Sequence, residues 1–254
     1  MFCGVHKLDF MADAYHTDLA YIHDDGHGFF ARSAAPVLLD ALRQHDLNGG
    51  LVIDLGCGSG ILAAEVTAAG YDVLGIDISP AMIALARKRA PRARFRVESL
   101  WTAEFPPCVA VTAIGECFNY LFDERNTDAA LTDLVGRIYG ALCPGGLFLL
   151  DVAEPGRVPG SGVQKSHREG PSWAVLVDME EDRARRLLTK RITSFRKVGQ
   201  RYRRHHEVHR LRLLPGKEVA GRLRDVGFPV RVLRAYGTFR FPPRHVGLLA
   251  RKPV

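Results

Sequence analysis

Leu51–Gly60 reads LVIDLGCGSG. It opens on apolar and β-branched residues fit for a buried strand, passes Asp54, and then places glycines at 56, 58 and 60, directly before the helix-compatible run ILAAEVTAAG. Strand, glycine turn, helix is the layout that brings a ligand onto backbone N–H groups at a helix N-terminus. Alternate glycines let the backbone approach that ligand without Cβ clashes and at positive φ. Asp77, in GIDIS, follows Gly60 by seventeen residues and ends the next apolar run, where an acid can accept from both hydroxyls of a ribose. Loop and acid together point to an adenosine-containing ligand. Gly58-Ser59-Gly60-Ile61-Leu62-Ala63 also fits G-x-G-x-x-A, so from the loop alone a dinucleotide remains open.

Strands and helices alternate outward from the loop. YDVLGIDIS is a second strand, and PAMIALARKRA a helix with Ser79 as N-cap and Pro80 at its first position. ARFRVES and the near-continuously apolar CVAVTAIGE are the third and fourth strands, separated by the irregular, Pro-containing LWTAEFPP. An amphipathic helix over 123–142 and a CPGG turn lead into a fifth strand, GLFLLDVAE. This alternation predicts an α/β fold with a doubly wound, Rossmann-like parallel sheet and right-handed crossovers. Upstream, YHTDLAYIHDDGHGF reads as a short helix broken near Gly26 and Gly28, and a second helix follows over 30–45. After the linker PGRVPGSG, the segments SWAVLVDM, LLTKRITSFRK and QRYRRHHEVHRLRLL predict three strands of an antiparallel insertion, with turns at 180–183 and 198–200. PGKEVAGRLRDVGF reads as a helix, and VRVLRAYG and HVGLLARK as two closing strands. The expected organisation is a helical lid over 1–48, a core over 49–154, the insertion over 155–215 and the closing helix and strands over 216–254.

Composition narrows the class. The chain of 254 residues is 47% apolar and 25% charged, ordinary for a globular protein. No apolar run approaches the ~18 residues of a membrane span, and the N-terminus lacks a basic start followed by an apolar stretch, so neither a membrane span nor a secretory signal is expected. Five cysteines without a C-x-x-C pair argue against a disulfide framework or a zinc site, and a reducing cytoplasm is the simplest compartment. The net charge of +7 is local: residues 183–212 hold twelve Arg or Lys and one acid, Glu207, so the remainder of the chain is net negative. Three readings of that hairpin stay open: a solvated sheet face, recognition of an anionic small substrate by Arg, or an RNA-tracking surface with Phe195 and Tyr202 among the cations.

DLGCGSG followed by GIDIS and then ALCPGGLFLLDV resembles the motif series of class I S-adenosylmethionine (SAM)-dependent methyltransferases over about residues 50–152, and the closing helix, strand and strand are similar as well. The resemblance implies a seven-stranded sheet with its last strand antiparallel, SAM as cofactor and S-adenosylhomocysteine as product. It implies that the loop holds the methionine part and Asp77 the ribose. The cofactor residues it suggests are Tyr21, Asp54, Gly56, Cys57, Gly58, Gly60, Asp77, Ile78, Met82, Ser99, Leu100, Trp101, Gly115 and Glu116. Where the family often carries an adenine-binding Asp, this chain has Ser99-Leu100, a departure that leaves the adenine contact to a serine or to packing. The end of the fourth strand faces the transferred methyl in this family, which makes Glu116 and Tyr120 candidate catalytic groups, Glu116 as a base or substrate orienter. In the lid, Tyr15, Tyr21, His23 and His27 could line the site, with His27 as a candidate proton acceptor near pKa ~6.5. The function implied is methyl transfer to N or O of a small metabolite, with anionic ones included. An RNA- or tRNA-directed methyltransferase and a non-catalytic SAM-binding protein are the alternatives. Monomer and homodimer are both open.

Overall fold

In the computed structural model, residues 14–160 and 162–254 are described. Cys3 and the first part of the expected lid lie outside the described residues. Two helices lead, α1 (Thr17–Gly26) and α2 (Phe29–Gln44). The alternating core follows: β1 (Leu51–Leu55), α3 (Ile61–Ala68), β2 (Asp72–Asp77), α4 (Pro80–Arg89), β3 (Arg94–Val97), β4 (Cys108–Ala113), α5 (Asp128–Ala141) and β5 (Leu142–Ala153). The insertion has four strands, β6 (Val163–Gly170), β7 (Trp173–Asp182), β8 (Leu187–Val198) and β9 (Arg201–Arg212). The chain closes with α6 (Gly216–Asp225), β10 (Val230–Leu233), a small hairpin of β11 (Ala235–Tyr236) and β12 (Phe239–Arg240), and β13 (His245–Arg251).

Seven strands form one sheet in the order β10-β13-β5-β4-β1-β2-β3. β1 to β5 are parallel, and β13 runs antiparallel between β5 and β10. The pleat divides the apolar side chains between two layers. Ile53, Leu55, Val111 and Phe148 pack with Leu131, Leu134 and Ile138 of α5 and Leu223 of α6. Val52, Val73, Leu147 and Leu149 pack on the other side with Leu38 and Leu42 of α2 and Leu62 of α3. With both faces covered, the central strands read as continuous apolar runs. Strand order reverses at β1, which lies between β2 and β4, so a crevice opens beyond the C-terminal ends of these strands. Caps fix the helices beside it: Ser79 Oγ accepts from Met82 N at 3.3 Å, and Thr127 Oγ1 from Ala130 N at 3.1 Å.

The second sheet, β6-β7-β8-β9, is wholly antiparallel and roofs the crevice. Its inner face packs Trp173, Val175 and Ile192 on Leu19 and Ile22 of α1. Backbone bonds join it to the loop after β4, Leu121 N to Arg210 O and Arg212 N to Asn119 O. Asn119 locks that seam, since its amide donates to Ala153 O and Arg212 O and its Oδ1 accepts from Ala153 N.

Four local expectations are corrected. The insertion has four strands where three were expected, because VQKSHREG has no apolar alternation: it is an edge strand, exposed along nearly its whole length and paired to β7. The turn between β7 and β8 falls at 183–186, later than expected. The helix expected from 123 begins at Asp128, because Asp123 Oδ1 accepts from Arg125 N in a side-chain turn. VRVLRAYG is not one strand; it breaks at Arg234 into β10 and β11.

Candidate active site

The crevice and its roof enclose a cavity of about 410 Å³. The glycine loop forms one wall. Gly58, at φ +52°, lies at the cavity with open space where a side chain would stand, and its N–H donates to Asp77 Oδ2 at 2.8 Å. Gly60, at φ +75°, does other work: a Cβ there would stand 3.0 Å from Ala86 Cα, so this glycine permits close packing of α3 on α4 and does not reach the cavity. Gly56 and Cys57 line the cavity. Burial pushes the Cys57 thiol well up, so it stays protonated.

Asp77 lies at the cavity, with Ser79 N donating to Oδ1 at 2.8 Å. Burial raises its pKa, opposed by the N–H groups of Ser79, Gly58 and Ile78. Its two oxygens are held at the cavity by these backbone donors. Asp54 does not reach the cavity wall. It is buried under the loop, where Thr112 Oγ1 donates to it at 2.7 Å, and burial raises its pKa to about 7. Ile78, Met82, Ser99, Leu100 and Trp101 continue the wall past β2 and β3. Ser99 Oγ donates to Asp123 and accepts from Trp101 N at 3.2 Å. Asp123 is a cavity residue that sequence reasoning missed.

At the end of β4 the chain turns through Gly115 at φ +92° and Glu116 at φ +67°. Asp151, on β5, holds the corner by accepting from both N–H groups, at 2.8 Å for Glu116 N, and it also accepts from Tyr236 Oη at 3.0 Å. His245 Nε2 lies 3.0 Å from Asp151 and its Nδ1 3.5 Å from Glu116. Burial disfavours charge on His245, but the two carboxylates outweigh it and raise the pKa to about 9. Lys190 Nζ and Arg157 reach the Glu116 carboxylate at 3.0 and 3.1 Å. Against its burial, Lys190, His245 and Arg157 hold Glu116 far below the usual carboxylate range. That corrects the expectation of a base there, because a carboxylate balanced by three cations has little proton affinity.

The roof supplies the remaining wall. Tyr15, just before α1, and Leu19, His23 and His27 recur every fourth residue along one face and line the cavity. Tyr21 lies off that face, with the Arg196 guanidinium 3.8 Å over its ring and Ser172 Oγ 3.4 Å from its hydroxyl, which corrects its expected place at the cofactor. Burial lowers the His23 pKa to about 3, and burial and then Arg168 lower that of His27, so both imidazoles are neutral at pH 7. Tyr120 Oη lies 3.1 Å from Tyr15 Oη, and burial raises both phenols. His209 Nε2 lies 2.9 Å from Glu207 Oε2, a buried pair whose histidine also lines the cavity. Sequence reasoning missed Leu19, Arg157 and His209 as cavity residues. Lys190 carried a signal, since it alternates with Leu188 and Ile192 on one strand face. Two of the hairpin's arginines are paired inward: Arg196 and Arg203 meet Asp18 of α1, and the His205 imidazole lies beside the same carboxylate.

Comparison with known proteins bears on this site. Residues 52–146 match the methyltransferase domain family. A trans-aconitate 2-methyltransferase from Methylobacterium radiotolerans is 31% identical over 132 residues, 50% of this chain and 47% of that protein. The chain spans about half the length of the curated relatives it matches. A SAM-dependent methyltransferase from Clostridium acetobutylicum ATCC 824 superposes with TM-score 0.76 at 16% identity, over 92% of this chain and 98% of that one. A sugar N-methyltransferase from Streptoalloteichus sp. ATCC 53650 superposes with TM-score 0.75 at 17% identity, over 100% and 99%. Over residues 52–146 the chain is thus similar to the methyltransferase domain family, and its fold as a whole is shared with these solved methyltransferase structures. Among the described residues, no helix is long and apolar enough to cross a membrane.

Proposed function

We infer that this protein transfers the methyl group of SAM to a nitrogen or oxygen of a small metabolite that carries an anionic group. The observation that carries this reading is the joint presentation of Lys190 and Arg157 on the cavity wall with Glu116 between them. With His245 protonated, the cations outnumber Glu116 and Asp151 at that end by one, which suits an anionic acceptor. Enclosure by α1 and the four-stranded sheet favours a small molecule over a polynucleotide, as does the commitment of Arg196, Arg203 and His205 to Asp18.

Gly56, Cys57, Gly58, Asp77, Ile78, Met82, Ser99, Leu100, Trp101, Gly115 and the Glu116 backbone are the groups that would hold SAM, whose sulfonium supplies an electron-poor methyl. The Asp77 carboxylate at the cavity fits a ribose hydroxyl, and the open space at Gly58 fits a close ligand approach. The protein's own contribution is to hold the acceptor in line at ~3–3.5 Å and to exclude water. Tyr15 and Tyr120 offer a neutral hydroxyl pair to orient it. His27 stays uncharged at pH 7 and is available to take the acceptor's proton. Glu116 acts as counter-ion, setting the spacing of Lys190 and Arg157.

The test uses methyl-tritiated SAM with trans-aconitate as a tricarboxylate probe, a panel of amino sugars and bulk tRNA. Label in a carboxylate-bearing small molecule, reduced at least tenfold by Lys190→Ala, is the expected result. Label confined to tRNA would establish the RNA-directed alternative. SAM binding without transfer to any acceptor in a cell extract would establish the non-catalytic one.

A further inference from the structure

We propose that the acceptor is a monocarboxylate with an alkyl or aryl body, methylated on the carboxylate itself to give a neutral ester. The proposal rests on the proposed transfer from SAM and narrows it to one functional group. Sheet order sets where the acceptor meets the donor. Asp77 ends β2 and the glycine loop follows β1, so a donor laid along both points past the loop to the Gly115–Glu116 corner after β4. Lys190 and Arg157 stand at that corner, 3.0 and 3.1 Å from the Glu116 carboxylate. An anion held by these two cations is therefore held where transfer takes place.

The corner offers a nucleophile cations but nowhere to leave a proton. Glu116 is kept ionised by Lys190, His245 and Arg157, and His245 already carries its proton at pH 7. Asp151 is committed to Gly115 N, Glu116 N, Tyr236 Oη and His245. A group that attacks here must arrive deprotonated, as a carboxylic acid of pKa ~4 does and an alcohol or an ammonium does not. Donors for it remain. Lys190 spends one of its three N–H groups on Glu116, and Arg157 one of its five on Pro243 O. One carboxylate oxygen rests on these donors while the other attacks. As the O–C bond forms the S–C bond breaks, its electron pair leaves on sulfur, and the carboxylate and sulfonium charges cancel. No proton is released, so none is left for His27 to take.

The roof describes the body. Val175, Val177 and Met179 of β7 and Ile192 of β8 line the cavity with Leu19 of α1. Lys190 is in register with Met179, and Ile192 with Val177, so aliphatic side chains run away from the cation along one sheet face, about 6.5 Å per alternate residue. They offer no hydrogen bonds, and a polyhydroxylated body would lose its hydration there without replacement. One excess cation at the corner matches one carboxylate.

Two measurements on the full chain test this. In the first, methyl-tritiated SAM labels the small-molecule fraction of a cell extract, and mild alkali is then applied. Methyl esters release volatile tritiated methanol; N-methyl and ether groups do not. Most of the label should become volatile. Alkali-stable label in a carboxylate-bearing small molecule would overturn the ester and leave the wider reading standing, whereas no label in any small molecule would overturn both. In the second, calorimetry in the presence of S-adenosylhomocysteine compares 4-phenylbutanoate with its methyl ester, with 4-phenylbutylamine and with trans-aconitate. The acid should bind at least ~10-fold tighter than each, the scale of one charge-assisted hydrogen bond. Failure to outbind all three would overturn the apolar monocarboxylate. Lys190→Met, which keeps the aliphatic stem, should bring the acid to within ~3-fold of its ester while S-adenosylhomocysteine still binds, which shows the variant folded. An undiminished preference for the acid in that variant would overturn its placement on Lys190.

Discussion

The glycine-loop wall and the roof face the same cavity but are held by different forces. The loop wall is a backbone device. Gly58 and Ser79 donate their N–H groups to Asp77, Gly115 and Glu116 donate theirs to Asp151, and buried parallel strands fix the frame beneath. The roof is a side-chain device. α1 is clamped to β8 and β9 through Asp18, Arg196, Arg203 and His205, and Trp173 Nε1 donates to Asp25 at 2.7 Å. Backbone devices depend on chain geometry and serve the part of a ligand that does not vary. Side-chain devices can be rewritten one residue at a time, as a surface that chooses an acceptor requires.

The sharpest way to break this comparison is at Asp77. Asp77→Ala removes both the proposed ribose acceptor and the anchor of Gly58, so S-adenosylhomocysteine affinity should fall ~100-fold or more by calorimetry. Lys190→Ala should leave that affinity within ~3-fold while abolishing acceptor use. Equal cofactor losses in the two variants would erase the division of labour.

A pH experiment tests the seam between the two regions. His245 holds its proton to about pH 9, whereas a free imidazole releases it near ~6.5. A pKa raised by folding stabilises the protein fully below pH ~6.5, and the contribution is lost as pH rises through about 9. Unfolding free energy from urea titration should therefore drop by about 2 kcal/mol between pH 7 and 9.5. His245→Gln should flatten that slope; an unchanged slope would place the titration elsewhere.

What the sequence disclosed follows the same division. Asp77 and Gly58 were legible because chain geometry restricts which residues can stand there. Gly60 was read as a ligand contact when its need is helix packing, since a sequence shows that a glycine is required but not what crowds it. The centre of the sheet was legible because β1, β4 and β5 are apolar on both faces. β6 was not, because it carries polar residues and is ordered by pairing across the chain. Leu19 and Lys190 belong to the roof, where a side chain's position depends on which face of α1 meets which face of a distant hairpin. The spacing of 15, 19, 23 and 27 was present in the sequence, and choosing Tyr21 over Leu19 followed residue type where helical period decides.

The latch at Asp18 gives a smaller effect. Asp18→Asn keeps the shape and removes the charge facing Arg196, Arg203 and His205, of which Arg203 and His205 are about half exposed and screened. Stability should fall by about 1–2 kcal/mol, read as a lower urea midpoint, with S-adenosylhomocysteine affinity changing by less than ~3-fold. A large loss of cofactor affinity from this variant would make the roof part of the cofactor site.

The smallest effect sharpens the comparison most. Tyr21→Phe retains the ring beneath the Arg196 guanidinium, 3.8 Å away, and removes only a hydroxyl whose contact to Ser172 Oγ is a long 3.4 Å. Stability should change by less than ~0.5 kcal/mol and cofactor affinity by less than ~2-fold. Tyr15→Phe is its counterpart on the cavity face, where the hydroxyl pairs with Tyr120 at 3.1 Å. That variant should slow methyl transfer to whichever acceptor the tritium assay identifies. If Tyr21→Phe instead costs tenfold in S-adenosylhomocysteine affinity while Tyr15→Phe is silent, α1 meets the cavity with a face rotated from the one that its four-residue spacing assigns.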